Sequence, residues 1–507
     1  MAAGILVTRV LGYVRERVTA HYLGNGAIAD AFRVALRIPN AIRNLLGEGT
    51  LSASFIPVYA ALNERPDKAA ARSLAGAVAG LLLLGAGVLA VAGIVFAEPL
   101  TTVLAPGLEP GTRAIAVTLM RLLFPMAGLM VISAWCLGIL NTHRRFFLPY
   151  AAPALWNVAG IVALVTAATW LVSPALPVEE QLYRLALALA WGTVAGSLLQ
   201  IAVQLPSCWR LLHGIALRVS AAPEGVRDVL TAWAPLVLGA GVAQISSLVD
   251  TFLGSLAGEG GVSSLVYAQL IQVLPVSLFG TAVAAASLPE LAREAVTSTP
   301  NDQLRARIAT GFRRIAFFVI PSSVAFAALG PVIVGALFQT GRFATADTVV
   351  VGGVLAAYGI GLLGQATVKL FASGFYALRD TRTPVKIASF SLVVSGGLAY
   401  LFMQWYGPAG IALGSSIGAT LNVVLQLRSL DARIGRVLRG PDWRAFSTSV
   451  VAALVAGGAG AGASRLASGM GPIPLALVAL GIFGVTYAAV TLALRHPDAA
   501  RLWTSLR

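Results

Sequence analysis

Nine charged side chains crowd the stretch Thr8–Tyr59, in sequence otherwise apolar enough to lie in lipid. They are Arg9, Arg15, Arg17, Arg33, Arg37 and Arg43 against Glu16, Asp30 and Glu48. An arginine at the bilayer centre costs at least ~2.5–3.5 kcal/mol, so such residues face a bundle interior or a wet cavity. This excess of cations points to a chamber for an anionic cargo. Asp30, Arg33, Arg37, Asn40, Asn44 and Glu48 recur at i, i+3, i+4 spacing and form one polar stripe on the second span, allowing for a kink at Pro39. Guanidinium stays charged and donates bidentate hydrogen bonds to phosphate oxygens, which suits a phosphate-gripping lumen. The acids would pair with the arginines until cargo displaces them. The other reading of Arg17, Arg33 and Arg37 is interhelical salt bridging, with the outer arginines snorkelling to the interfaces.

The rest of the chain offers little chemistry. Arg121, Asp250 and Lys369 are lone charges in or near spans, as compatible with structural roles as with functional ones. His21, His143, His213 and His496 read as interfacial, and no metal site is expected. There is no Gly-Lys pair, hence no Walker A loop, and no H-E-x-x-H motif. Gly414–Gly418 matches G-x-S-x-G by chance, inside an apolar run without strand–turn–helix context. No enzymatic activity and no cofactor are expected. Cys136 and Cys208 are the only cysteines, so no disulfide framework is available.

These residues must be positioned by membrane helices. The 507 residues are 57% hydrophobic and 11% charged, against about 25% charged in soluble domains. Mean hydropathy is +0.82. Apolar runs long enough to cross a bilayer recur from end to end. Fourteen spans are expected, near 4–24, 29–60, 72–97, 112–140, 149–172, 183–206, 228–257, 262–291, 308–332, 347–376, 384–404, 408–428, 445–465 and 473–494. Pro39, Pro125, Pro153, Pro235, Pro275 and Pro331 are candidate kinks. No cleavable signal is visible. The net charge of +15 would ordinarily suggest nucleic acid. Here the excess sits in short loops, and no nucleic-acid partner is expected.

Alternate loops carry the arginines: Arg65 and Arg72; Arg144 and Arg145; Arg210, Arg218 and Arg227; Arg293, Arg305 and Arg307; Arg379 and Arg382; Arg433, Arg436 and Arg439. The positive-inside rule then places both termini in the cytoplasm, consistent with an even span number. A weak repeat relates Gly24–Pro39 to Gly260–Pro275 at a shift of 236 residues. Six spans separate the copies, as expected of a parallel two-lobed transporter. The expected architecture is an all-α polytopic membrane protein with an N-terminal lobe (1–206), a C-terminal lobe (228–428), two further helices (445–494) and a cytoplasmic tail (495–507). The run Gly457–Gly462 is expected to pack helices closely.

The segment TRVLGYVRERVTAHYLGNGAIADAFRVALRIPNAIRNLLGEG closely resembles the N-terminal signature of the MurJ/MviN lipid II flippases. These belong to the multidrug/oligosaccharidyl-lipid/polysaccharide exporter superfamily. LNTHRRFFLPYAAPALWN (140–157), AQISSLVDTFL (243–253), LFQTGRFATAD (337–347) and GFYALRDTRTPVKIA (374–388) extend the resemblance over nearly the whole chain. It implies an alternating-access flippase of the bacterial inner membrane that carries lipid II, an undecaprenyl-diphosphate-linked peptidoglycan precursor, to the outer leaflet. Membrane lipids and the cell-wall synthesis machinery are the other expected partners. Two family cavity arginines fall on Arg15 and Arg43. Arg9, Asp30, Asn40 and Glu48 match further polar signature positions, and Pro153 and Asn157 match the fifth-span pattern. Two departures stand out. A span 8 arginine found in many members is replaced by Leu270, leaving Ser263 and Gln269 as the polar groups expected from that span. Asp250 matches a sodium-site aspartate, but span 11 has neither Asn nor Asp, which puts sodium coupling in doubt. The rivals are another lipid-linked oligosaccharide flippase or drug antiporter of the superfamily, and a polyprenyl-phosphate membrane enzyme.

Overall fold

A computed structural model describes residues 2–47, 49–281 and 300–499, and these are helical nearly throughout. Backbone groups in lipid must be satisfied within their own segment, and a helix does this for any apolar sequence. By contacts the chain divides into two units, Met1–Ser263 with Thr340–Phe343, and Ser264–Gln339 with Ala344–Arg507.

The first unit contains α1 (Ala2–Leu23), α2 (Ala27–Leu46), α3 (Thr50–Asn63), α4 (Ala69–Val95), α5 (Ala97–Leu104), α6 (Pro110–Thr142), α7 (Phe147–Ala151), α8 (Pro153–Trp170), α9 (Val178–Leu212), α10 (Val226–Leu256) and the start of α11 (Gly261–Pro275). Helix α6 packs on α2, α4 and α9, while α8 joins α9 and α1. Small residues permit the α8–α9 approach: a Cβ on Gly196 would meet the Trp156 backbone at 2.7 Å. The buried core includes Phe32, Leu36, Met120, Phe124 and Leu164.

Helix α11 continues as a π-helical stretch, Val276–Thr281. In the second unit follow α12 (Pro300–Phe338), α13 (Thr345–Ala377), α14 (Arg382–Tyr406), α15 (Pro408–Ile434), α16 (Gly440–Leu466) and α17 (Pro472–Ala493). Helix α13 packs on α12 and α15, and α16 and α17 pack on each other and on α12. Tyr487 donates to the Phe317 carbonyl at 2.7 Å, tying α17 to α12. The glycine run divides by face. Gly457 and Gly460 pack closely against neighbouring helices, whereas Gly458 and Gly462 meet nothing.

Thirteen helices among the described residues are long and apolar enough to cross a membrane. The fourteenth expected span is α1, a helix of 22 residues. Arg9, Arg15, Glu16 and Arg17 keep it outside that apolar class. Large apolar side chains such as Val91 and Val95, each 63% exposed, cover outward faces, as a lipid-facing surface requires.

The prolines act at specific points. Helix α2 runs through Pro39 to Leu46, with Gly47 as its C-cap, and Gly49, at φ +87°, is the N-cap of α3. Pro153 opens α8, π-helical geometry follows Pro275, and Leu329, two residues before Pro331, leaves helical geometry. Four helices end on a basic residue in the left-handed region: Arg144, His213, Arg379 and Arg495. Each closes a Schellman-type turn; Arg145 N–H reaches the Leu140 carbonyl at 2.8 Å and Asp380 N–H the Phe375 carbonyl at 2.9 Å. Glycine usually fills this position. A cation there faces the negative end of the helix dipole instead.

Candidate anion-binding site

The polar stripe of α2 and the charges of α1 meet inside the first unit. Glu16 is 6% exposed and bridges two guanidiniums, accepting from Arg15 and from Arg33 at 2.5 Å each. The Arg15 guanidinium lies 4.2 Å from the ring centroid of Trp156 on α8, a cation–π contact. Its charged neighbours are Glu16, Arg33 and Arg43. One carboxylate thus serves two guanidiniums, with the Arg43 charge near Arg15, and the centre carries net positive charge in sequence otherwise fit for lipid.

The stripe continues down α2 with open hydrogen-bonding capacity. Asn40 Oδ1 and Arg43 Nε are buried and have no hydrogen-bond partner. Buried polar atoms are paired as a rule, and these two groups, one turn apart, keep open hydrogen-bonding capacity. Arg37 is committed elsewhere: its Nε and Nη2 donate to the Ser247 carbonyl at 3.0 and 2.6 Å. Of the three arginines left between two readings, Arg33 and Arg37 make such interhelical bonds.

Asp30 and Ser263 come together at the helix starts. The Asp30 carboxylate, 1% exposed, accepts from Ser263 N–H at 2.7 Å, and Glu259 accepts from Ala27 N–H at 3.1 Å. Helices α2 and α11 therefore start by capping across to one another, each with a carboxylate on an N–H of its first turn. These are the two segments related by the sequence repeat. Ser263 Oγ is buried without a partner.

The remaining expected residues scatter. Arg9 is exposed on α1. Asn157 Nδ2 donates to the Thr8 and Pro153 carbonyls at 3.3 and 3.4 Å, fastening α8 to α1 beside Arg15. Glu48 lies outside the described residues. Gln269 belongs to the second unit and donates to Tyr358 Oη at 2.9 Å. Asp250 is half-buried on α10, and no group of three or more His, Cys, Asp or Glu converges among the described residues. Sequence reasoning counted Glu16 among the acids that pair with the arginines but did not single it out as the carboxylate shared by Arg15 and Arg33. It did not place Trp156 in the site, since Trp156 read as one more apolar residue.

A family model described as lipid II flippase MurJ matches residues 19–492. The chain belongs to the MurJ family. A lipid II flippase MurJ of Burkholderia cenocepacia is 35% identical over 460 residues, covering 89% of this chain and 87% of that protein. A probable lipid II flippase MurJ of Vibrio cholerae is 30% identical, covering 90% and 87%. A solved MurJ structure in an inward closed conformation superposes with TM-score 0.79 at 22% identity, covering 97% of this chain and 98% of that one. An inward-facing MATE transporter gives TM-score 0.64 at 18% identity, covering 85% and 95%. These likenesses show the fold, and family membership rests on the sequence match.

Proposed function

We propose that this MurJ-family chain flips lipid II across the bacterial inner membrane by alternating access, and that Arg15 and Arg43 grip its diphosphate. The observation carrying the site is the net positive centre in α1 and α2, with Arg43 Nε left unsatisfied. Glu16 divides itself between Arg15 and Arg33. An arriving phosphate takes Arg15, leaving Glu16 to Arg33, so the centre stays paired with and without cargo. Trp156 keeps the Arg15 guanidinium in plane for a two-pronged contact. Asn40 adds a neutral polar group to the grip; Asp30 acts by holding the start of α11. Arg9, Glu48 and Ser263 are further proposed cargo contacts of the first unit and Gln269 one of the second, and Asp250 serves as a structural carboxylate. The centre grips and releases its cargo without bond-making chemistry. Two lobes of six helices, 1–206 and 228–428, with 445–494 appended, form the moving parts in this reading.

Complementation tests it. Expression of this chain in a strain depleted of its own lipid II flippase restores growth and outward delivery of the precursor. Accumulation of folded protein without rescue, or export of cationic drugs in its place, overturns the assignment.

The proposed topology, with both termini cytoplasmic, has its own check. Cys136 and Cys208 are buried, so background labelling is low. Single cysteines replacing the exposed residues Glu109 and Ala175 react with a membrane-impermeant maleimide in intact cells, while one replacing Thr381 reacts only after lysis. The reverse pattern inverts the topology.

A further inference from the structure

Away from the arginine centre, the chain between α9 and α10 folds back over the start of α4 and forms one wall of an open pocket of about 480 Å³. The left-handed turn at His213 redirects the chain, and Arg218 N–H donates to the Gly76 carbonyl at 3.2 Å. Gly76 and Gly80 make this possible, since a Cβ at either would strike the backbone of Ala216 or Arg218. The cavity therefore has a fixed wall, and its volume lies within the ~300–1,000 Å³ range of small-ligand sites.

Its lining is one-signed. Arg72, Arg218 and His213 face it together with Ser73 and Trp209, and no carboxylate does. Glu224, in the same loop, is engaged by Arg65 at 2.9 Å. Two permanent cations, a titratable imidazole and a hydroxyl match a phosphate. The approach is apolar: Trp209 and Leu217 are each 55% exposed at the rim. Further along the same two helices, Leu83 and Leu84 of α4 and Leu205 and Val203 of α9 are exposed apolar side chains. A basic pocket opening onto an apolar wall, with an aromatic residue at the rim, has the make-up of a headgroup site at a membrane surface. A soluble anion would have no use for that wall.

We infer that this cavity binds the phosphate headgroup of an anionic glycerophospholipid, with its acyl chains along the outer faces of α4 and α9. The site shares no residue with the proposed flipping machinery, so its fate is separate from that reading.

The test is native mass spectrometry of the full chain in a neutral detergent, titrated with dioctanoyl phosphatidylglycerol, dioctanoyl phosphatidylcholine and inorganic phosphate. One phosphatidylglycerol binds in preference to phosphatidylcholine, and inorganic phosphate displaces it only in large excess. Arg72→Gln with Arg218→Gln weakens that lipid roughly tenfold or more, the scale of two lost surface cations. Trp209→Ala reduces lipid binding while leaving competition by inorganic phosphate as it was. Retention of the preference in the double variant, in protein of unchanged elution and helicity, overturns the inference. So does inorganic phosphate binding as tightly as the lipid, which would make this a free-anion site. Complementation by the double variant stays at the level of the parent chain.

Discussion

Arg15→Ala and Arg43→Ala each abolish complementation of a flippase-depleted strain while the protein still accumulates in the membrane. A charge-assisted hydrogen bond contributes roughly 1.5–3 kcal/mol, so losing one weakens a transport complex about ten- to a hundredfold. Stability changes less. Arg15 leaves Glu16 with its second partner, Arg33, at 2.5 Å, and Arg43 Nε has no partner to abandon. Lysine restores part of the activity at position 43, where a point charge still attracts phosphate but cannot fork onto two oxygens. At position 15 it restores less, because the contact of the Arg15 guanidinium with the Trp156 ring is changed as well. Growth assays with membrane immunoblots decide the matter. Full activity of both alanine variants would remove the diphosphate-gripping role.

Glu16→Gln acts in the opposite way, on folding first. The carboxylate is 6% exposed and is shared by two guanidiniums. Without it, Arg15 and Arg33 lose the carboxylate they share, in a low-dielectric setting that also holds the Arg43 charge near Arg15. Removing one partner of a buried ion pair costs about 3–5 kcal/mol, a large part of the stability of a domain. The variant is expected at a small fraction of parental abundance, with a clearly lower unfolding temperature in detergent. Glu16→Gln combined with Arg33→Gln recovers most of both, since it removes the acid with one of its cations. That recovery separates an electrostatic cause from simple misfolding. Parental abundance and unfolding temperature in the single variant would mean that water already solvates the arginines, and that the ion-paired centre does not hold α1 to α2.

The length and spacing of apolar runs made the helical, membrane-spanning architecture legible, because any apolar segment of sufficient length must satisfy its backbone as a helix. Charge density alone pointed to α1 and α2, since nine ionisable groups cannot face lipid. Residues far apart in sequence were another matter. That Glu16 joins Arg15 to Arg33, that Trp156 lies under Arg15, and that Asp30 caps the start of α11 all depend on helices meeting side by side. Periodicity gives the face a residue occupies on its own helix, not the neighbour that face meets. The second span also stops at Leu46, with Gly47 as the C-cap, and not at Pro39, whose missing N–H a membrane helix absorbs. The segment Thr340–Phe343 shows the same limit. It groups with the first unit through Arg342 N–H on the His21 carbonyl at 2.8 Å and His21 Nδ1 against Thr340 Oγ1 at 2.8 Å. Local sequence determined which segments are helices and which of them carry charge. Tertiary packing decided which charges neutralise one another and which stay open, because pairing energy depends on distances that only the assembled helices set.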